Sequence, residues 1–340
     1  RDRNLFFFRK NRFLSLFSLF SPYFPHAPAL SAHGTGALVG LDRSLVPEGT
    51  KGDGGVCMQN QKHSSEFPRP ACGGEKGACR GTARWGTRDG IFLLLLTAMA
   101  LTGCNLQYSM LYYPDASVPS EAELAARHLG FWPSGPEGYR GFIGAVEQGR
   151  ARGTIVVFHG NAGTAADRAY YVNALGPMGY RVILAEYPRY GKRTGELGEE
   201  SFVEDAKASV RLAAERYGPP LFLLGESLGC GVAAGVAADP SLTIDGLLLF
   251  TPWDTLLAVA KSHFRFFPVG LFLKDRYDNG ANLRAFRGRI AVVGAESDDI
   301  VPIRHAQELY RSLPGPKRMW TLRGGGHNDW PMIVTAPMWR

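Results

Sequence analysis

Leu221-Phe222-Leu223-Leu224-Gly225-Glu226-Ser227-Leu228-Gly229-Cys230-Gly231-Val232-Ala233-Ala234 decides how this chain reads. An unbroken apolar run meets a run of small residues across a Gly-x-Ser-x-Gly turn. That pattern predicts strand, sharp turn and helix, with Ser227 at the apex. A serine hydroxyl is a weak nucleophile at its ordinary pKa, so it needs exposure and an adjacent base. The strained turn exposes it. Glycine flanks it at 225 and 229 because a Cβ there would strike the neighbouring strand and helix. The five-residue match alone decides little: with 42 glycines in 340 residues, chance supplies about 0.3 such matches.

The surroundings carry the rest. Strands are predicted over 140–146, 154–158, 180–185, 221–224, 246–250, 290–293 and 318–322. Helices are predicted over 165–175, 199–217, 228–238, 255–263 and 304–313. Strand and helix alternating at this spacing imply an α/β fold with a mostly parallel, doubly wound sheet of about eight strands. Continuous apolar strands such as 154–158 fit a sheet covered on both faces. In such sheets ligands sit beyond the C-terminal strand ends, so the partners of Ser227 are sought there.

Three strand ends supply them. After 154–158 comes His159-Gly160-Asn161-Ala162-Gly163. A Gly-rich turn here can present the backbone N–H of Asn161 or Ala162 to an oxyanion, with the N–H of Leu228 as second donor. His159 reads as a turn-shaping histidine. After 290–293 comes Gly294-Ala295-Glu296-Ser297-Asp298-Asp299. A carboxylate at this point can orient an imidazole. Asp298, nearer the strand end, is favoured over Asp299, which reads as a loop charge. After 318–322 comes Arg323-Gly324-Gly325-Gly326-His327. Of the eight histidines, His327 alone follows the last strand, on a loop able to swing toward Ser227. The order Ser, Asp, His differs from the chymotrypsin-like and subtilisin-like orders.

Together these motifs resemble the α/β-hydrolase superfamily, in particular its small, nearly capless, serine-aminopeptidase-like bacterial branch. The resemblance rests on 159–163, Glu186-Tyr187-Pro188-Arg189-Tyr190-Gly191, 225–229, 298–302 and 326–329, and it covers residues 108 to 333. It implies Ser227 as nucleophile, His327 as general base and then acid, and Asp298 as the orienting acid. The chemistry implied is cleavage of an ester, thioester or small amide through an acyl-enzyme, with no metal or organic cofactor. Two departures stand out. Pro188 replaces an arginine usual in that third-strand motif, with Arg189 adjacent. The sequence also leaves room for only part of the usual last helix. Rival readings are a peptidase or acyltransferase on the same fold, or a non-catalytic envelope binding protein.

The chain divides in composition. Residues 1–103 hold 13 Lys+Arg against 7 Asp+Glu, a net +6, whereas residues 104–340 are near balance. The basic excess therefore lies outside the part that reads as folded, and no base-reading basic helix is present, which argues against nucleic acid as a partner. Residues 1–83 lack a sustained period and read as a disordered or non-native upstream extension, the first methionine being Met58. Residues 84–103 read as a lipoprotein signal peptide: Arg84 and Arg88 precede the apolar stretch 91–101, which ends in Leu101-Thr102-Gly103-Cys104. On this reading Cys104 is lipidated. The hydrolase-like domain, 104–340, is then tethered to a membrane, with Asn105 favouring the outer membrane facing the periplasm. The acyl substrate is a small molecule.

Several residues read more plainly. Cys230 is a small buried hydrophobe, and Cys72 and Cys79 lack zinc-site spacing. Glu226 is placed at the pocket rim without a catalytic role. Glu199, Glu200, Glu204 and Asp205 fit a solvated helix start. The segment 253–288, where lids are usually inserted, holds Phe264, Phe266, Phe267, Leu271 and Phe272. It reads equally as an acyl or membrane-facing wall and as ordinary helix packing.

Overall fold

The computed structural model describes residues 107–144, 151–335 and 339. The chain divides into two units, Arg1–Cys79 and Arg80–Arg340, and every described residue belongs to the second. The readings of 1–83, of the 84–103 signal and of Cys104 lie outside the described residues.

Eight strands form one sheet: β1 (Leu129–Trp132), β2 (Gly141–Gly144), β3 (Gly153–Phe158), β4 (Tyr180–Ala185), β5 (Leu221–Glu226), β6 (Gly246–Phe250), β7 (Arg289–Ala295) and β8 (Lys317–Leu322). Their spatial order is β8-β7-β6-β5-β3-β4-β2-β1. Pairing is parallel from β4 across to β8, while β2 runs antiparallel to both β4 and β1. The main helices are α1 (Ala169–Leu175), α2 (Glu199–Tyr217), α3 (Leu228–Ala237), α4 (Leu256–His263) and α5 (Ile303–Ser312).

Alternation along the buried strands builds two cores. Val156, Phe158 and Leu223 join one cluster, and Ile155, Val157 and Leu224 join the other. A strand with apolar side chains on both faces is thus buried from both sides, as its unbroken sequence requires. On α2, Phe202, Ala206, Ser209, Val210 and Ala213 make a helical stripe facing the sheet, and the helix ends at Gly218 with φ 70°.

The structure differs from the sequence reading in several places. Strand β1 was not among the anticipated runs: it is four residues at the sheet edge, too short for a period to register. The helix anticipated over 165–175 is a 3₁₀ turn, Ala165–Arg168, followed by α1. Asp205 is not a solvated charge. It takes a two-armed contact from Arg193 at 2.6 and 2.8 Å and another from Arg140 at 2.9 Å, while Glu199 accepts the Arg276 and Tyr277 N–H groups.

Candidate active site

Ser227 sits between β5 and α3 with φ 52° and ψ −112°, a conformation L residues rarely adopt. The fold imposes it. A Cβ at Gly225 would come within 2.6 Å of the Cys230 backbone, and one at Gly229 would overlap the Phe158 carbonyl. Only glycine lets the helix leave the strand so sharply against β3. Every residue of α3 from Leu228 to Val236 is buried, and small side chains allow that depth.

His327 and Asp298 converge on this serine from loops after β8 and β7. The two loops are stitched together: Glu296 donates its N–H to Leu322, Ser297 to Gly325, and Gly324 donates to the Glu296 carboxylate at 2.8 Å. His327 Nδ1 is 2.7 Å from Asp298 Oδ2, and Nε2 is 2.9 Å from Ser227 Oγ. The remaining Asp298 oxygen accepts the N–H groups of Ile300 and Val301. A carboxylate only accepts, so Nδ1 carries the ring proton and Nε2 is left to accept from the serine hydroxyl. Asp299 is exposed and takes no part. The arrangement can draw a proton from Ser227 Oγ and hold the resulting imidazolium against Asp298.

The turn after β3 is held at its carbonyls. His159 Nδ1 lies 2.7 Å from the Gly160 oxygen. The Asn161 oxygen accepts from Tyr190 Oη at 2.6 Å and Tyr113 N at 2.9 Å. In a planar trans peptide the next N–H points away from the carbonyl, so gripping these two oxygens turns the N–H groups of Asn161 and Ala162 to the opposite side. Leu228 opens α3, and first-turn N–H groups have no intrahelical acceptor. His159 is a turn-shaping residue: its Nε2 meets Glu186 Oε1 at 3.0 Å, and Glu186 Oε2 receives the Ala165 N–H. Both ring nitrogens thus face oxygen atoms and hold the ring in place.

Next to Ser227 lies a cluster that sequence reasoning missed. Glu226 does not face a rim. It is buried, accepting from Arg168 Nη2 at 3.1 Å and Tyr170 Oη at 3.0 Å, with Tyr171 Oη at 3.5 Å. Burial alone would raise its pKa, but the Arg168 charge and the hydrogen bonds from Arg168 and Tyr170 outweigh it and hold the carboxyl below its ordinary value. Tyr171 stacks on Trp330 at 5.1 Å, and Trp330 packs on Phe250 at 4.6 Å. The same tyrosines therefore touch both Glu226, which adjoins Ser227, and the segment just past His327. The one available signal was an arginine at 168, five residues beyond the His159–Gly163 turn.

Cys230 is fully buried, its thiol lying 3.2 Å from the Gly225 and Phe250 oxygens, and burial pushes the thiol's pKa well up. Among the described residues no group of three or more His, Cys, Asp or Glu side chains is placed to hold a metal ion. A cavity of about 210 Å³ lies elsewhere, beside the β3, β5 and β6 strands, lined by Ile155, Phe222, Leu248 and Trp339.

Comparison with known proteins bears on the family and the fold. The family model for serine aminopeptidase, S33 matches residues 149–264. An uncharacterized protein of Mycobacterium tuberculosis is 30% identical over 245 residues, covering 70% of this chain and 86% of that one. The chain belongs to the α/β-hydrolase superfamily. The hydrolase is also 30% identical over 188 residues to the lysophosphatidylserine lipase ABHD12 of Danio rerio, covering 48% of this chain and 49% of that protein. It spans about half the length of these lipases. Its fold matches the Pyrococcus furiosus esterase Pf2001 with a TM-score of 0.51 at 17% identity, over 67% of this chain and 94% of the esterase.

Proposed function

We propose that this hydrolase cleaves carboxylic esters through an acyl-enzyme on Ser227. The observation that carries the reading is the continuous relay from Asp298 through His327 to Ser227 at 2.7 and 2.9 Å. Ser227 Oγ attacks the ester carbonyl carbon as its proton passes to His327 Nε2. The oxyanion formed is met by the N–H of Leu228 and that of Asn161 or Ala162. His327 returns the proton to the departing alcohol oxygen, leaving acyl-Ser227. Water, deprotonated by the same nitrogen, then attacks the acyl carbon and releases the acid and Ser227. Similarity to lysophosphatidylserine lipases supports monoacyl lipid esters as the substrate class. A merely binding member of the fold would have no use for all three side chains in register.

The test is fluorophosphonate labelling together with turnover of p-nitrophenyl esters across acyl lengths and of aminoacyl amides. Wild type should label and favour esters, and Ser227→Ala should do neither. Full labelling of Ser227→Ala would sink the assignment, and preference for amides would move the reading to a peptidase. We further propose that Cys104 is acylated and holds the enzyme to the bacterial outer membrane. Its support is the small-residue ending Leu101-Thr102-Gly103-Cys104 after an apolar run. Intact-mass analysis showing wild-type Cys104 without acyl groups would refute that.

A further inference from the structure

The loop after α4 carries apolar side chains that stand exposed among the described residues. Phe266 is 101% exposed, Leu271 81% and Phe267 47%. Single exposed apolar residues are ordinary, but three within six positions form a patch that calls for a partner. The loop is built to hold them out. Phe267 stacks on Phe272 with centroids 5.2 Å apart, and the 3₁₀ turn Val269–Leu271 closes behind them.

Its backbone is also largely self-satisfied. Phe267 N–H donates to Phe264, Val269 to Phe267, Leu271 to Pro268, and Phe272 and Leu273 both to Val269. Pro268 has no N–H to satisfy. A segment that closes its own hydrogen bonds can enter an apolar medium at low cost, whereas open backbone there costs several kcal/mol per group.

Charge selects the medium. Lys261 and Arg265 are exposed on either side of His263, and no Asp or Glu occurs from Thr255 through Lys274. Aromatic tips with a basic rim match a bilayer surface bearing anionic headgroups: rings enter the interface while cations stay at phosphate level. The patch is also anchored close to the chemistry. His263 Nε2 is 2.8 Å from the Ile300 carbonyl, two residues past Asp298. Farther back, α4 is tied through Ser262 and Asp254 to the two nitrogens of His305, each at 2.8 Å.

We propose that Phe266, Phe267 and Leu271 insert into the headgroup region of an anionic lipid surface, with Lys261 and Arg265 at the phosphates, bringing the Ser227 site to that surface. This contact is separate from acylation at Cys104 and does not rest on the ester-cleaving reading.

The test uses the full chain carrying Cys104→Ser, so that no acyl group contributes, and phosphatidylcholine vesicles with or without about 30% phosphatidylglycerol. Flotation should show binding that Phe266→Ser/Phe267→Ser/Leu271→Ser weakens by about tenfold or more. Lys261→Gln/Arg265→Gln should weaken binding to the anionic vesicles only. Hydrogen exchange across 264–272 should slow when vesicles are added. Turnover of a soluble short-chain ester should stay within about twofold in both variants, since none of the five residues touches the relay. Unchanged vesicle binding by the triple variant, or unchanged exchange across 264–272, would overturn the proposal. So would lipid-free self-association that the triple variant abolishes, which would give the patch to a second copy. Loop-dependent binding by a chain that hydrolyses no ester would leave this proposal standing and refute the ester-cleaving one.

Discussion

Asp298 uses both carboxylate oxygens: Oδ2 holds His327 Nδ1 at 2.7 Å, and Oδ1 is held in turn by two backbone N–H groups. The carboxylate cannot turn without losing one set, so it fixes the imidazole's tautomer. Asp298→Asn should lower kcat by about 10⁴-fold, because an amide can donate to Nδ1 and favours the wrong tautomer. Asp299→Asn should stay within about twofold. Ester turnover with a far-ultraviolet dichroism check on folding decides this, and a larger loss from the Asp299 variant would transfer the role to Asp299.

The Arg168–Glu226 pair makes a prediction about stability. Removing one member of a buried pair leaves an uncompensated charge, so Arg168→Met should cost about 3–5 kcal/mol near pH 7 in urea unfolding. The sign with pH follows from the lowered Glu226 pKa. In the wild type, the pair's contribution is complete above the unfolded carboxylate value and fades as pH falls through the folded one. In Arg168→Met, the largest influence opposing burial is gone and only weaker ones such as the Tyr170 hydrogen bond remain, so Glu226 protonates more readily. The gap between variant and wild type should therefore shrink from pH 7 toward pH 4. A gap that widens on acidification would contradict the pairing.

Gly229→Ala should be the most damaging single methyl at the elbow, because it would be driven into the Phe158 carbonyl of β3. A destabilisation of about 3 kcal/mol, with loss of fluorophosphonate labelling, is expected. Gly324→Ala, where a Cβ meets nothing within 4 Å, is the control for a loop glycine and carries only the strain of φ 64°. Equal soluble yield and labelling from the two variants would count against the steric account of the elbow.

Cys230 lies three residues past Ser227 yet should be chemically silent. Burial pushes its thiol up, away from the reactive thiolate form. Iodoacetamide should leave Cys230 unmodified in the native enzyme, and Cys230→Ala should retain kcat within about threefold. Peptide mapping after alkylation reads the first and ester turnover the second.

How much was legible in the sequence depended on how local each signal was. Strands 180–185 and 246–250 and the helix 199–217 match their expected bounds because each is a continuous run closed by glycine or a turn. The Ser227, Asp298 and His327 positions could be read because parallel pairing sends the ends of β3 through β8 to the same side. Glu226 was misplaced because whether a residue beside the nucleophile points outward or under the elbow is set by Arg168, 58 positions away. Asp205 was misread for the same reason: its two guanidinium partners lie on other elements. The lining of 253–288 turned on side-chain exposure at Phe266 and Leu271, which periodicity does not report.

Strand order gives the three relay residues unequal footing. Ser227 follows β5, which is paired on both sides, whereas His327 follows β8, which among the described strands pairs only with β7 and is mostly half-exposed. Edge strands open at lower free energy than central ones. His327 therefore follows a strand that can fray while the strand before Ser227 stays folded. On warming, activity should fall before the tryptophan signal of global unfolding does, and return on cooling. The enzyme's working temperature limit is then set by a local opening at one margin of the sheet and not by the melting of its core.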